Sequence, residues 1–303
     1  MAELKPYSLK DQSEQSAITI GDCKVGKGHP VYIVAEVGIN HNGSLETALA
    51  LVDCAVKAGC DAVKFQKRSP DHCVPERHRN VRRDTPWGTM TYLQYRHRME
   101  FGSEEYDIID SYCRKKGITW FASCWDQTSV DFIKRYNPPC YKVASACLTD
   151  EDLLRHTQLN GTPVILSTGM STMDEIRQAV SILNRKKLLL VHTTSSYTSN
   201  PEELNLSVIN TLKNEFRCIT GYSGHEEGIA PTIAAVSLGA RYIERHITLD
   251  RGMWGSDHAI SLEPDQLNKM VCDIRIIERA IGDGVKRVYE SEKLVLAKLR
   301  NLK

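Results

Sequence analysis

The sequence predicts a (β/α)8 TIM barrel with a short N-terminal β-hairpin. Eight short runs rich in Val, Ile and Tyr alternate along the 303 residues with segments whose apolar residues recur at helical spacing. Strict alternation indicates a parallel sheet with right-handed crossovers, and eight such units close naturally into a barrel. A doubly wound open sheet is the alternative, but no G-x-G-x-x-G turn follows the first strand. The pattern therefore favours the barrel.

The predicted strands share a short length and an enrichment in β-branched residues. They are "VYIVAEVG" (31–38), "DAVKFQK" (61–67), "TWFASCW" (119–125), "CYKVAS" (140–145), "PVILSTG" (163–169), "LLLVHTT" (188–194), "CITGYSG" (218–224) and "YIERHIT" (242–248). Each has a length typical of strands in globular proteins.

Amphipathic helices are predicted between the strands, and the first illustrates the evidence. Ser44 is suited to cap a helix over 44–59, apolar residues such as Ala48 and Val52 trace one face, and Gly59 is suited to end it. Further helices are predicted at about 103–116, 128–135, 150–158, 172–184, 203–214, 230–239 and 264–281.

The remaining segments complete the expected domain organisation. Residues 1–15 are predicted to be a flexible N-terminus, 16–285 the barrel, and 286–303 a C-terminal tail. Within the barrel, 16–30 read as the hairpin, which we expect to close the barrel floor. Residues 68–102 form a polar insertion after the second strand, which in a barrel lies on the catalytic face.

Composition excludes several classes of function. Lys and Arg total 39 against 38 Asp and Glu, so the net field offers no general attraction for nucleic acid or an anionic membrane. No apolar stretch reaches the roughly 18 residues of a membrane span, and the polar start lacks the apolar core of a signal peptide. A cytoplasmic protein is expected. The ten scattered cysteines include no C-x-x-C pair and favour reduced thiols.

Polar residues recur where the predicted strands end, the edge at which such barrels carry their active sites. Because side chains alternate along a strand, Lys64 and Gln66 share one face, as do Glu244 and His246. One strand lysine equally suits an outward salt bridge, but two on different strands favour a small, multiply charged anion. The other strand-end residues are Glu36, Asn40, His41, Ser123, Asp126, Lys142, Ser145, Ser167, Thr168, His192, Thr194, Tyr197, Ser223 and His225.

Two histidines end consecutive strands, the seventh and the eighth. Adjacent strand ends can bring the imidazoles of His225 and His246 within about 2.0–2.2 Å of one divalent ion. A single histidine would more simply be a hydrogen-bonded core or surface residue. The pair favours a metal site that leaves coordination positions open for water or substrate, as a Lewis-acid catalyst requires.

Longer motifs extend this pattern in one colinear order. They are "AEVGINHNGS" (35–44), "VKFQK" (63–67), "WGTMTYLQYRHRMEF" (87–101), "CYKVASA" (140–146), "ILSTGM" (165–170), "TSSYTSNPEELNL" (194–206), "GYSGHEEGI" (221–229) and "ERHITLDRGMWGSDHAISLEP" (244–264). From about residue 17 to 292 the chain thereby resembles the sialic acid (N-acetylneuraminate) synthase family, which condenses phosphoenolpyruvate with an aldose such as N-acetylmannosamine. The resemblance covers the catalytic barrel and not the C-terminal antifreeze-like domain that the family commonly carries.

The resemblance implies a metal-dependent, dimeric synthase that makes a sialic-acid-like nonulosonic acid and releases phosphate. It implies that His225 and His246 hold Mn2+ or Mg2+. It also implies catalytic roles for Glu36, Lys64, Lys142 and Cys147, phosphoenolpyruvate binding by Lys64, Lys142, Ser145, Ser167 and Ser223, and sugar binding by Glu36, Gln66, Tyr197 and Asp257.

One departure from the family pattern leaves alternatives open. Cys147 stands where the family usually has a carboxylate, and a thiol with an ordinary pKa near 8.5 is mostly neutral at pH 7. The substrate could therefore be a sugar phosphate, received by basic residues such as Arg96 or Arg98, or a non-acylated aldose. An alternative of another class is a barrel that binds sugar or metal without turnover.

Overall fold

The computed structural model describes residues 16–300, so the predicted flexible segment 1–15 lies outside the described residues. The strands are β1 (Ala17–Ile20), β2 (Cys23–Gly26), β3 (Tyr32–Gly38), β4 (Ala62–Lys67), β5 (Arg82–Thr85), β6 (Gly88–Thr91), β7 (Thr119–Cys124), β8 (Tyr141–Val143), β9 (Val164–Ser167), β10 (Leu188–Thr193), β11 (Ile219–Gly224) and β12 (Tyr242–His246).

The α-helices are α1 (Leu45–Ala58), α2 (Pro70–Cys73), α3 (Glu76–Arg79), α4 (Tyr92–Met99), α5 (Ser103–Lys116), α6 (Gln127–Lys134), α7 (Glu151–Gln158), α8 (Met173–Ile182), α9 (Pro201–Leu204), α10 (Val208–Phe216), α11 (Ala230–Ser237), α12 (Pro264–Ile281) and α13 (Glu290–Leu299). Helix α1 shows how local chemistry sets these bounds. The Ser44 hydroxyl accepts a hydrogen bond from the Thr47 amide, and Gly59 ends the helix at φ 80°, a left-handed conformation that glycine adopts without strain.

The predicted (β/α)8 barrel is confirmed. Eight parallel strands close in the order β10-β11-β12-β3-β4-β7-β8-β9, with helices packed outside them. The register places Glu36 opposite both His246 on β12 and Lys64 on β4, and Ser123 opposite Lys142. Polar strand-end residues from neighbouring strands therefore meet in one layer at the C-terminal edge.

The predicted hairpin is also present and packs against the barrel interior. Strands β1 and β2 pair antiparallel, and Ile18, Ile20 and Val25 belong to the same buried cluster as inward-facing barrel residues such as Phe121 and Leu189. Since the polar residues occupy the other end, this apolar plug fills the N-terminal half of the barrel.

The structure corrects the helix predicted at 203–214. It is split into α9 and α10, because Asn205 takes a left-handed conformation at φ 40° that interrupts a helix. The sequence window also missed the start of α9, where Pro201 occupies the first turn.

The insertion at 68–102 is ordered, containing α2, α3, the β5–β6 hairpin and α4. The rings of Trp87 and Tyr95 pack edge-on against Trp254, with centroids 5.6 and 5.5 Å away, in the loop that follows β12. The insertion thus contacts a loop of the catalytic face. The predicted tail at 286–303 contains α13, none of whose residues is buried.

The structure bears on the predicted reduced cysteines and on the predicted lack of a membrane span. All ten cysteines lie in the described range, and each is a free thiol. No helix within residues 16–300 combines the length and apolarity required to cross a bilayer.

Candidate active site

A polar cavity of about 220 Å³ opens at the C-terminal ends of the barrel strands. The structure brings ten of the predicted site residues to its wall. They are Glu36, Lys64, Gln66, Lys142, Ser145, Ser167, Tyr197, Ser223, His225 and His246. The cavity is also lined by Ser123, Trp125, Ala144, Ala146, Met170, Thr193, Ser195 and Glu244.

Two lysines and two carboxylates form a buried charge network at the base of the cavity. The Lys64 Nζ lies 2.6 Å from Glu36 Oε2 and 3.5 Å from Glu244 Oε1. The Lys142 Nζ lies 3.8 Å from that same Glu244 oxygen. Lys64 also donates a hydrogen bond to Ser123 at 2.7 Å, and Lys142 donates one to Ser167. Each lysine is therefore aimed into the cavity by a serine and a carboxylate.

Burial and mutual charge give these four groups different pKa values. Burial opposes ionisation of Glu244, but Lys142 and Lys64 hold its pKa down at about 2. Burial raises the pKa of Glu36 to about 7, despite the adjacent Lys64. For Lys64, burial is outweighed by Glu244 and Glu36, which raise its pKa, whereas burial lowers the pKa of Lys142 to about 8. At neutral pH both lysines are therefore mainly cationic and Glu244 is ionised, whereas Glu36 is about half ionised.

Hydroxyl groups surround this network because a glycine gives them room. A Cβ added to Gly169 would lie 2.2 Å from Ser195 Oγ, 2.5 Å from the Thr193 methyl carbon and 2.8 Å from Ser145 Oγ. The Gly169 amide also donates to Ser145 Oγ at 3.1 Å. Any larger residue would displace these side chains, so Gly169 permits three hydroxyl-bearing residues to converge. Hydroxyls beside two lysines suit an anion with several acceptor oxygens.

The two predicted metal-ligating histidines lie side by side, with ring centroids 5.5 Å apart. His225 Nδ1 is 2.8 Å from the carbonyl oxygen of Thr194, which can only accept, so Nε2 keeps the lone pair. His246 Nδ1 is buried without a hydrogen-bond partner and lies 3.9 Å from Asp257 Oδ2. Burial lowers the pKa of both rings, that of His225 to about 4, so both are neutral at pH 7.

This donor set fits a divalent first-row metal ion. Neutral imidazoles are its usual nitrogen ligands, and an unpartnered buried ring nitrogen is what an absent ligand bond would leave. Within residues 16–300 no group of three or more His, Cys, Asp or Glu side chains is placed to hold a metal. Water or substrate would therefore supply the remaining coordination positions.

The predicted sugar-binding residues lie on the histidine side of the cavity. Gln66 donates to Glu36 Oε1 at 2.9 Å, and Tyr197 stacks on His225 with ring centroids 4.4 Å apart while half its surface stays exposed. Asp257 does not line the cavity in this state but approaches it through His246. These groups could meet hydroxyls and an aldehyde next to the histidines.

The structure does not bring Cys147 to the cavity. Residues 145–147 form a short 3-10 turn that directs Ser145 inward and buries Cys147 in the apolar core, its Sγ 3.9 Å from the Trp125 carbonyl oxygen. Burial raises the thiol's pKa to about 11, so it is neutral at pH 7. This position gives no support to the catalytic role predicted for Cys147.

Sequence reasoning did not predict every feature of the cavity wall. Alternation placed Glu244 on the face of His246, but nothing in the pattern showed that it would bridge two lysines. On β10, Thr193 rather than His192 faces the cavity, and His192 instead bonds the Leu204 carbonyl at 2.7 Å. In the run "LLLVHTT" both faces of the strand are buried, so the pattern of apolar residues does not show which face points into the barrel.

Arg68 is a further residue without an assigned role. It stacks on Trp125 at 3.4 Å and donates to Gln66 Oε1 at 2.6 Å, so it adjoins two cavity-lining residues. Its Nε is buried without a hydrogen-bond partner. Arg68 thus places a guanidinium with one unpartnered donor beside two cavity-lining residues, whereas Arg98, one of the predicted receivers of a sugar phosphate, packs on Trp87.

Comparisons with known proteins agree with this architecture. The sequence profile of the NeuB family matches residues 51–286. The N-acetylneuraminate-9-phosphate synthase of Mus musculus is 37% identical over 91% of this chain and 78% of its own length. The N,N'-diacetyllegionaminic acid synthase of Campylobacter jejuni is 34% identical over 86% and 80%, respectively. A crystal structure of N-acetylneuraminic acid synthetase from Leptospira borgpetersenii, 34% identical, covers 95% of this chain and 98% of that one with a TM-score of 0.83.

Proposed function

This chain belongs to the NeuB family, and on that premise we propose that it condenses phosphoenolpyruvate with an aldose of the N-acetylmannosamine type. The products would be a sialic-acid-like nonulosonic acid and inorganic phosphate. The chain is thus an enzyme that forms C–C bonds. What carries the proposal is the pairing of two buried lysines, set among hydroxyls, with two adjacent neutral histidines in one cavity.

The lysine side of the cavity is proposed to bind phosphoenolpyruvate. Lys64 and Lys142 neutralise its carboxylate and phosphate, and Ser145, Ser167 and Ser223 donate to their oxygens. Burial makes these interactions stronger than they would be in water. The enolic C3 is thereby held with its face toward the histidine side, where the second substrate binds.

The histidine side is proposed to bind the open-chain sugar. Gln66, Tyr197 and Asp257 hold its hydroxyl groups, and His225 and His246 would hold Mn2+ or Mg2+ next to its aldehyde. When bound, the metal supplies Lewis-acid polarisation of a carbonyl oxygen and stabilises developing negative charge.

The bond changes of the proposed reaction are simple to balance. C3 of phosphoenolpyruvate forms a bond to the sugar's aldehyde carbon, and the aldehyde oxygen takes up a proton to become a hydroxyl group. Water adds to C2 and gives up its protons to become the ketone oxygen, as the bond from C2 to the phosphate ester oxygen breaks and releases phosphate. Glu36, whose pKa of about 7 lets it give or accept a proton near neutrality, lies between the lysine and histidine sides and is suited to exchange protons there.

We further propose that the enzyme works as a homodimer.

Phosphate release from phosphoenolpyruvate tests the proposal. Purified protein with Mn2+ is offered N-acetylmannosamine, mannose and their 6-phosphates, with His225→Ala and Lys142→Met as matched variants. Release with one aldose, lost on chelation and in both variants, is expected, and it would name the substrate class. A folded, Mn2+-binding protein that releases no phosphate with any of these aldoses would refute the proposed substrate class.

A further inference from the structure

A buried ion pair lies directly behind the two histidines, outside the barrel wall. Arg245 precedes His246 on β12, and Glu226 follows His225 after β11; they are 0% and 1% exposed. The Arg245 Nη1 donates to Glu226 Oε1 at 3.0 Å, and Nη2 donates to the Glu226 carbonyl at 2.7 Å. One guanidinium therefore holds both the side chain and the backbone of Glu226.

Neighbouring groups add further hydrogen bonds to this pair, and only the Arg245 Nε among its buried polar atoms is without a partner. The Tyr222 hydroxyl donates to Glu226 Oε2 at 2.9 Å, and Thr232 donates to Oε1 at 2.8 Å. Arg245 also donates to the Gly228 carbonyl at 2.8 Å. Gly224 leaves space for the carboxylate, since a Cβ there would be 2.2 Å from Glu226 Oε2. The network fixes the turn over residues 224–228.

The two histidines differ in how their backbones are held. His246 lies within the ladder to β3, opposite Glu36, and its carbonyl accepts from the Leu262 amide at 2.8 Å. The β11–β12 ladder ends at Gly224 opposite Arg245, one residue before His225. Beyond that point the His225 carbonyl accepts from the Ser199 amide at 3.2 Å, in an isolated parallel bridge between Ser199 and Glu226. Where the β11–β12 ladder stops, the ion pair and this single bridge together hold the backbone.

From this arrangement we infer that Glu226 and Arg245 are positioning residues that set the spacing of His225 and His246 for a divalent metal ion. The inference rests on the proposed metal-binding role of the histidines. Glu226 directly follows His225, which lies beyond the end of the β11–β12 ladder. Its ion pair with Arg245 links His225 to His246, the residue after Arg245, which is held in the β12–β3 ladder. Outer groups that orient metal ligands commonly change metal affinity 10- to 100-fold when they are altered.

The test measures metal and substrate binding separately, without turnover. Glu226→Gln removes the charge, and Tyr222→Phe combined with Thr232→Val removes two supporting hydroxyls should the first variant fold poorly. Asp61→Asn is the matched control, because Asp61 pairs with Arg275 at 3.2 Å and caps the Ile33 amide at the opposite end of the barrel. Mn2+ binding is followed by electron paramagnetic resonance, and phosphoenolpyruvate binding without metal by tryptophan fluorescence.

We expect the dissociation constant for Mn2+ to rise 10- to 100-fold in Glu226→Gln and about tenfold in the double variant, while phosphoenolpyruvate affinity changes less than twofold. Asp61→Asn should alter neither constant. Folded variants that bind Mn2+ like the wild type would overturn the inference, as would a parallel loss of both affinities. If wild type binds Mn2+ no better than His225→Ala, the proposed metal site fails and this inference with it, whereas the phosphoenolpyruvate site is still measured by fluorescence.

Discussion

Phosphoenolpyruvate affinity should fall steeply as pH rises from 7 to 9.5, because Lys142 loses its charge over that range. Burial lowers the pKa of this lysine to about 8 in the free enzyme. The cation needed for anion binding is therefore about 90% present at pH 7 and only a few per cent present at pH 9.5. If the bound anion keeps Lys142 protonated, the apparent dissociation constant rises about 30-fold between these pH values.

Apart from Glu36, the other charged groups of the cavity change little in this window. Lys64 has a raised pKa and stays cationic, Glu244 is already ionised, and both histidines stay neutral because burial lowers their pKa values. A phosphate monoester is fully ionised above about pH 7. Glu36, with a pKa of about 7, ionises as the pH rises from 7, and its negative charge adds a decrease in affinity of the same sign.

The assay is intrinsic tryptophan fluorescence, in which Trp125 is the one of the four tryptophans that lines the cavity. Phosphoenolpyruvate is titrated in metal-free buffer of constant ionic strength. Lys142→Met is the control: its affinity should be weak at every pH and should lose most of the slope. A wild-type affinity that is flat up to pH 9.5 would refute this account of Lys142. So would a variant that shows the same 30-fold decrease.

Three further predictions concern other parts of the molecule. Gly169→Ala should weaken phosphoenolpyruvate binding at least tenfold and lower the free energy of unfolding by about 1–3 kcal/mol, because the added Cβ would clash with Ser195. A titration in which the variant binds phosphoenolpyruvate as tightly as the wild type would contradict this. Ile20→Ala should cost about 2–5 kcal/mol in urea unfolding by opening a cavity in the barrel floor, yet leave Mn2+ binding unchanged. Arg68→Met should raise the KM for the aldose about tenfold, most for an anionic sugar, with Arg98→Met as control; an unchanged KM would exclude Arg68 from substrate binding.

The sequence predicted the barrel well because its evidence is repeated. Eight apolar runs and their helices carry the same information many times, so an error in one element leaves the topology intact. The error at 203–214 was local: one left-handed Asn205 divides a segment whose apolar spacing looks continuous. Helical periodicity records which residues can face a core, and a single backbone reversal does not alter it.

For the candidate site, the sequence predicted which strand ends carry polar side chains but not how those side chains are arranged. Alternation and order along the chain placed Lys64, Lys142, His225 and His246 at one edge, because a closed parallel barrel brings those ends together. The depth of each side chain depends on register and turns that no local pattern specifies. Cys147 illustrates this point, since a 3-10 turn of three residues separates it from the cavity that its neighbour Ser145 lines.

Glu244 shows why a site for anions contains carboxylates. Two buried lysines without counter-charges would be expensive to desolvate and would tend to lose their protons. Glu244 contacts both, at 3.5 and 3.8 Å, and together with Glu36 it keeps Lys64 charged in the empty site. Lys142 has only the longer contact, and its pKa falls. An anion bound as proposed would therefore meet Lys64, which stays charged, and Lys142, which loses its proton as the pH rises through about 8. Anion binding at the proposed site is thereby coupled to the protonation of Lys142 in alkaline solution.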